Sequence, residues 1–166
     1  GPAAVSTTVE AEVARLLGGT SHVRRIQGST RYWTARNFGV WATGWAAGAN
    51  PSRHVDAVGT TANPKALVTL DFNRIGLASG EDFPDALAGG VFCGLSKSPI
   101  LLTKPGVMSP EVLDIVDVSP VGSREDYWGA APYLFVRSYV FGGPAAVNDA
   151  VFRTFDIWTG PGPIAR

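Results

Sequence analysis

The stretch from Ile75 to Gly90 (IGLASGEDFPDALAGG) constrains this chain more than any other. It opens as a short apolar run of the kind that forms a buried strand. It then turns at Ser79 and Gly80 and reads as a helix from Asp82 onward. Asp82 is placed to accept hydrogen bonds from the first free amides, Pro84 suits a first-turn site, and Asp85 adds a favourable charge there. The helix runs on from Ala86 to Ser96 in small residues, and Gly89 and Gly90 would let a neighbouring backbone come close. Ser98 and Pro99 end it, and Ile100 to Thr103 is the next apolar run. Strand, tight turn, helix and strand in that order form a βαβ unit, with parallel strands and a right-handed crossover. The expected fold class is therefore α/β, an open, mostly parallel sheet flanked by helices.

At 166 residues the chain fits one domain with room for a proper core. Hydrophobic residues make up 45% and charged residues 17%, which excludes a chain that is disordered in bulk. Lys and Arg number 14, as do Asp and Glu. Broad electrostatic attraction to nucleic acid or to an acidic membrane is not expected, so any anion site must be local. Lysine occurs only at Lys65, Lys97 and Lys104, and arginine supplies the rest of the positive charge. That bias suits forked contacts to phosphate or carboxylate, although a G+C-rich genome produces it too. Cys93 stands alone, which rules out an internal disulfide and a cysteine-based zinc site; it is expected to be buried and inert. His22 and His54 are too few for a metal cluster, and neither a cofactor nor a metal is expected. No run is long enough to span a bilayer and no signal peptide is present, so membrane insertion is not expected. A segment cut from a longer precursor would still be compatible with secretion.

Five residues recur in order: Gly1-Pro2-Ala3-Ala4-Val5 and Gly143-Pro144-Ala145-Ala146-Val147. At the same offset the match continues more loosely, Val9 with Val151 and Gly18 with Gly160, and both copies then reach an arginine, Arg24 and Arg166. The repeat implies that residues 1–18 are a helix resembling the tail of a preceding module and that residues 19–166 are one full module. Val5, Val9, Val13, Leu16 and Leu17 fall on one helical face, and Gly18 and Gly19 stop it. One body cannot seat two copies of a helix in one site, so residues 1–18 are expected to pack outside or against a neighbouring chain.

Val23 to Gly28 reads as a short strand and turn, and Ser29 or Thr30 as the cap of a helix through Tyr32, Ala35, Phe38 and Ala42 that ends near residues 44–48. Residues 49–64 are loop-like, and Ala66 to Phe72 is β-prone. Pro110 to Val116 reads as a short helix and residues 117–132 as an irregular excursion. Tyr133 to Phe141 is a strand ending at Gly142 and Gly143, with Pro144 opening the closing helix. Three crossings from strand to helix thus share one form, at Gly28–Ser29, Gly80–Glu81 and Gly143–Pro144. In a parallel sheet they gather at the strands' carboxyl edge, where ligands of open α/β sheets bind and where free amides favour anions. None is a dinucleotide or P-loop fingerprint, and Glu81 and Asp82 weaken anion binding at the middle turn.

Four motifs carry a resemblance that runs from about Gly1 to Arg166. They are Arg25-Ile26-x-Gly28-x-x-Arg31-Tyr32-x-Thr34-Ala35, Leu77 to Ala88 (LASGEDFPDALA), Pro99 to Thr103 (PILLT), and Gly142 to Val147 (GGPAAV). In this order they resemble the cell wall binding repeat 2 modules of Gram-positive surface proteins. The resemblance implies an α/β module, Toprim-like or Rossmann-like with three layers. Such modules usually occur in threes around a pseudo-threefold axis and hold surface proteins non-covalently to anionic wall polymers, while other domains do the enzymatic work. The chain departs from the pattern in two longer stretches, between the first helix and Ile75 and between Thr103 and Tyr133.

The implied function is non-covalent anchoring of a secreted or surface protein to the Gram-positive wall through an anionic glycopolymer, with no enzymatic activity. Partners would be that polymer and sister modules or a homotrimer. Candidate polymer-binding residues are Arg25, Ser29, Arg31, Ser79, Asp85 and Thr103. The guanidinium forks of Arg25 and Arg31 suit phosphate or carboxylate, and equally suit carbonyls or Asp at a module interface. Thr103 stands at a strand's carboxyl end, suited to a ligand or to a loop hydrogen bond. Asp82 and Asp85 could bind a cation or act as an acid/base pair, but helix capping explains them more simply. Trp33, Trp41, Trp45, Trp128 and Trp158 suggest sugar stacking, yet aromatics at helical spacing more often belong to a core or interface. Trp128, after Arg124-Glu125-Asp126-Tyr127, has the more exposed setting. Ser-His-Asp catalysis has little support, since Ser79 is not in a Gly-x-Ser-x-Gly elbow. Two alternatives remain, a metal-dependent Toprim-like hydrolase using Glu81, Asp82 and Asp85, and a purely structural trimerisation or spacer unit.

Overall fold

The computed structural model describes residues 3–43, 70, 74–116 and 137–159. Among them, three parallel strands, β1 (Arg74–Ser79), β2 (Ile100–Thr103) and β3 (Arg137–Phe141), form an open sheet in the order β2-β1-β3. Around it stand α1 (Thr7–Leu16), α2 (Arg31–Thr43), α3 (Phe83–Leu95), α4 (Pro110–Val116) and α5 (Asp149–Thr159). The mixed α/β class and the central βαβ unit are as expected from the sequence. Leu77 pairs with Leu101 on one side and Val140 on the other, and Ser79 with Thr103.

Aligned residues of parallel strands share a face. Ile75, Leu77, Leu101 and Val140 point to the main core, where they meet Val40 of α2, Val112, Ile115 and Val116 of α4, and Val151 and Phe155 of α5. The other face carries α3. Cys93 lies against Gly76, and Phe92 meets Tyr139 edge-on with ring centroids 4.8 Å apart. Cys93 is buried as expected; burial pushes its thiol pKa up, against a smaller lowering by Ser98. Gly89 is the close-packing glycine of this helix, but it admits the Phe141 ring rather than a backbone, and Gly90 faces open space.

Three local expectations are corrected. Val23 to Gly28 is not a strand and pairs with none among the described residues. Its backbone is satisfied by α2 instead: Gln27 O accepts from Asn37 Nδ2 at 2.7 Å, and the Gly28 amide donates to Thr34 Oγ1 at 3.0 Å. Asp82 makes no capping hydrogen bond through its side chain. Ser79 Oγ instead holds the turn that leads into the helix, accepting from Glu81 N at 3.1 Å and Asp82 N at 3.3 Å. Pro144 opens a single turn closed on the Gly143 carbonyl, and the final helix starts later, where Asn148 Oδ1 caps Val151 N at 2.9 Å. On α2, Ala42 is buried together with Arg36, Asn37, Gly39 and Val40, while Tyr32 and Ala35 are half-buried and Phe38 is exposed. Arg36 is buried through an ion pair, its NH2 2.6 Å from Asp114 Oδ2, which ties α2 to α4. The expected β-prone run 66–72 (apart from Leu70), the expected loops 49–64 and 117–132, and residues 133–136 of the strand expected from Tyr133 lie outside the described residues.

Candidate functional site

Helix α2 begins at the carboxyl edge of the sheet. Thr30 is its cap, with Oγ1 accepting from Trp33 N at 3.2 Å. One residue on, Arg31 donates through NH1 to the Gly80 carbonyl at 2.6 Å, fixing the first turn of α2 to the end of β1. A Cβ on Gly80 would stand 2.5 Å from the Tyr32 ring, so the missing side chain permits this approach. On the other side of β1, Gly142 has φ +103°, a conformation that L side chains rarely adopt, and the Asp85 carboxylate packs against it. Gly28, Gly80 and Gly142, the last next to the Gly143 of the expected crossing, therefore border one rim with Gly80 in the middle, although the Gly28 crossing enters from coil rather than from a strand.

Beneath the α2 end of this rim lies a cleft of about 880 Å³. Ala35 and Phe38 of α2, Ile100 and Leu102 of β2, and Ala3 and Ala4 give it apolar walls, while Ser29, Thr30 and Arg31 supply polar groups. Two of the apolar residues spaced along α2, Ala35 and Phe38, thus line an open cleft. Glu81 is exposed beside the rim, 3.5 Å from the Tyr32 hydroxyl. Burial and then the Glu81 charge push the Tyr32 phenol up, opposed by Arg31. Thr30 also reaches the buried Glu111 at 3.4 Å. Glu111 escaped the sequence reading because nothing local marks a contact between α2 and α4.

The comparison with known families turns on this same scaffold. Residues 25–152, well over half of the chain, match the model described as Cell wall binding domain 2 (CWB2). The chain belongs to the CWB2 family. No curated protein and no solved structure matches it significantly. CWB2 is a family of binding domains rather than of enzymes, which makes cell wall binding, at the wall or cell surface, the function its membership indicates. Among the described residues no helix is long and apolar enough to cross a membrane, and no group of three or more His, Cys, Asp or Glu could hold a metal ion.

The CWB2 scaffold treats the six candidate residues differently. Ser29 and Arg31 are exposed together at the cleft. Asp85 stands half-buried on the first turn of α3, on the far side of β1. Arg25 is turned away to α1: it donates to Glu10 at 2.6 Å and to the carbonyls of Val5 and Ser6 at 2.9 and 3.3 Å. Ser79 is buried under the α3 cap. Thr103 is buried too, donating to Val107 O at 3.2 Å and accepting from Ser109 N at 3.0 Å. Of the tryptophans, Trp33 lies beneath the Arg36 guanidinium, 5.3 Å from ring centroid to Cζ, and Trp41 lies beside Phe38. Trp45 and Trp128 fall outside the described residues.

Proposed function

We propose that this CWB2 module holds a secreted or surface protein non-covalently to the Gram-positive wall by binding an anionic glycopolymer at the α2 end of the strand-edge rim. The observation that carries this reading is Arg31. Its guanidinium is anchored through one nitrogen on Gly80, stays exposed, and stands beside the Ser29 hydroxyl at the mouth of an apolar cleft. A fork held in place on one side loses little freedom when its other side takes a phosphate or carboxylate. Sugar rings would lie along the apolar walls. Asp85 borders the rim from its other end, while Ser79 and Thr103 act as positioning residues that shape the two turns, and Arg25 secures α1. With no net charge on the chain, such a site works through local contacts rather than a long-range field.

Association with sister modules, as a trimer of copies or of tandem units, is supported by α3. Phe83, Leu87, Val91 and Leu95 repeat every fourth residue and are exposed, and Asp85 is the only charged residue of this helix. An outward helix face without charge is a surface that a second module would cover.

The test is retention on purified cell walls. Binding should fall when anionic polymer is extracted, and Arg31→Ala should weaken it roughly tenfold, as expected for one lost charge-assisted contact. Arg25→Ala should leave it unchanged. Equal retention on stripped and intact walls would show the polymer assignment to be wrong.

A further inference from the structure

Helix α1 leaves from the same five residues as α5 and is capped at the matched position, and within the two helices Val9 and Val151 are the identical pair. The offset of 142 residues that carries Gly1 to Gly143 also carries Ser6 to Asn148 and Thr7 to Asp149. Both helices start at those matched positions. Both caps accept from the third residue on, Ser6 Oγ from Val9 N at 3.2 Å and Asn148 Oδ1 from Val151 N at 2.9 Å. Their surroundings are opposite. Val147, Val151 and Phe155 are 1%, 1% and 0% exposed, whereas their counterparts Val5, Val9 and Val13 are 48%, 51% and 40% exposed. Leu16 and Leu17 extend the open stripe. Its polar flank ties α1 to the body through Arg25, so the apolar face is left over a groove of about 250 Å³. The CWB2 match runs from residue 25 to residue 152, so α1 lies outside it and α5 extends past its end.

We propose that α1 is a closing helix for a second copy of this module, seated where α5 sits here. That seat is visible within the chain: α5 packs on β3 and α4, with Val151 and Phe155 in one cluster with Val112, Ile115 and Val140. The proposal commits to this occupant because the matched helix already fills such a seat with matched residues. It is an interaction surface of α1 and does not depend on which polymer the rim takes.

The test is a tandem chain in which residues 1–142 run directly into residues 1–166. Because the two five-residue copies are identical, the junction reads as native sequence as far as the second Val5. The internal α1 should then close the first module. Its amides from Val9 to Leu16 should exchange with solvent at least about 100-fold more slowly than those of the amino-terminal α1, as amides of a core helix do. Val9→Asp in the internal copy should unfold the first module and spare the second, while the same change in the terminal copy should leave both transitions in place. The proposal is overturned if the two α1 copies exchange at the same rate, whether or not the first module folds, or if Val9→Asp is silent in both. Wall binding is not part of this readout, so its outcome is separable from that of the polymer site.

Discussion

Helices α1 and α5 leave from the same five residues and the same kind of cap, yet α5 completes the core and α1 lies open to water. What separates them is the seat. Local sequence decides that a helix forms and where it starts, since capping and apolar periodicity act over a few residues. Burial depends on whether β3 and α4 stand opposite. Of these two helices, α5 is the one that packs against them.

The largest effect that can break this contrast comes from truncating matched positions. Phe155→Ala removes a fully buried ring and should destabilise the module by about 3–5 kcal/mol. Val13→Ala, the matched change on α1, should stay within about 0.5 kcal/mol. Urea unfolding of both variants measures the difference. A loss above about 1 kcal/mol for Val13→Ala would mean that α1 already stabilises the isolated chain through its apolar face. The caps sharpen the contrast at smaller scale. Asn148→Ala should cost about 1 kcal/mol in global unfolding. Ser6→Ala should leave the global midpoint in place and appear only as faster exchange at the Val9 amide.

The same logic marks how far the sequence could be read. The βαβ unit was legible because Gly80, Pro84, Ser98 and Pro99 punctuate it locally, and the boundaries Pro110 and Val116 of α4 emerge for the same reason. Pairing is not local. Val23 to Gly28 has strand-like composition, but α2 takes its backbone hydrogen bonds. Apolar spacing on α2 runs through Tyr32, Ala35, Phe38 and Ala42, and of these the helix buries Ala42; it also buries Arg36, because Asp114 of α4 pairs with it, a partner 78 residues away. At the rim, residue type pointed to Arg31 and Ser29, which are exposed there. It could not tell them from Ser79 and Thr103, whose hydroxyls are used on turns a few residues away, or from Arg25, which is drawn off by Glu10.

The smallest expected effect distinguishes the two helices by pH. On the outer side of α1, Arg15 donates to Glu12 at 2.9 and 2.7 Å and holds its carboxyl below the usual glutamate range; at the matched position α5 has Thr154, which bonds the Ala150 carbonyl at 2.8 Å. A depressed folded pKa means that this contribution is complete above the unfolded value, about 4.3, and fades as the pH falls through the folded one. Both groups of the pair are fully exposed, so the change should be slight and confined to α1. Backbone chemical shifts of Val9 to Arg15, followed from pH 6 to pH 3, should drift toward coil values, while those of Val151 to Phe155 hold until the module unfolds. Addition of salt should reduce the drift, because an exposed pair is screened at high ionic strength. If α1 and α5 lost helicity together, α1 would be coupled to the core of its own chain, and the openness of its apolar face would need another origin.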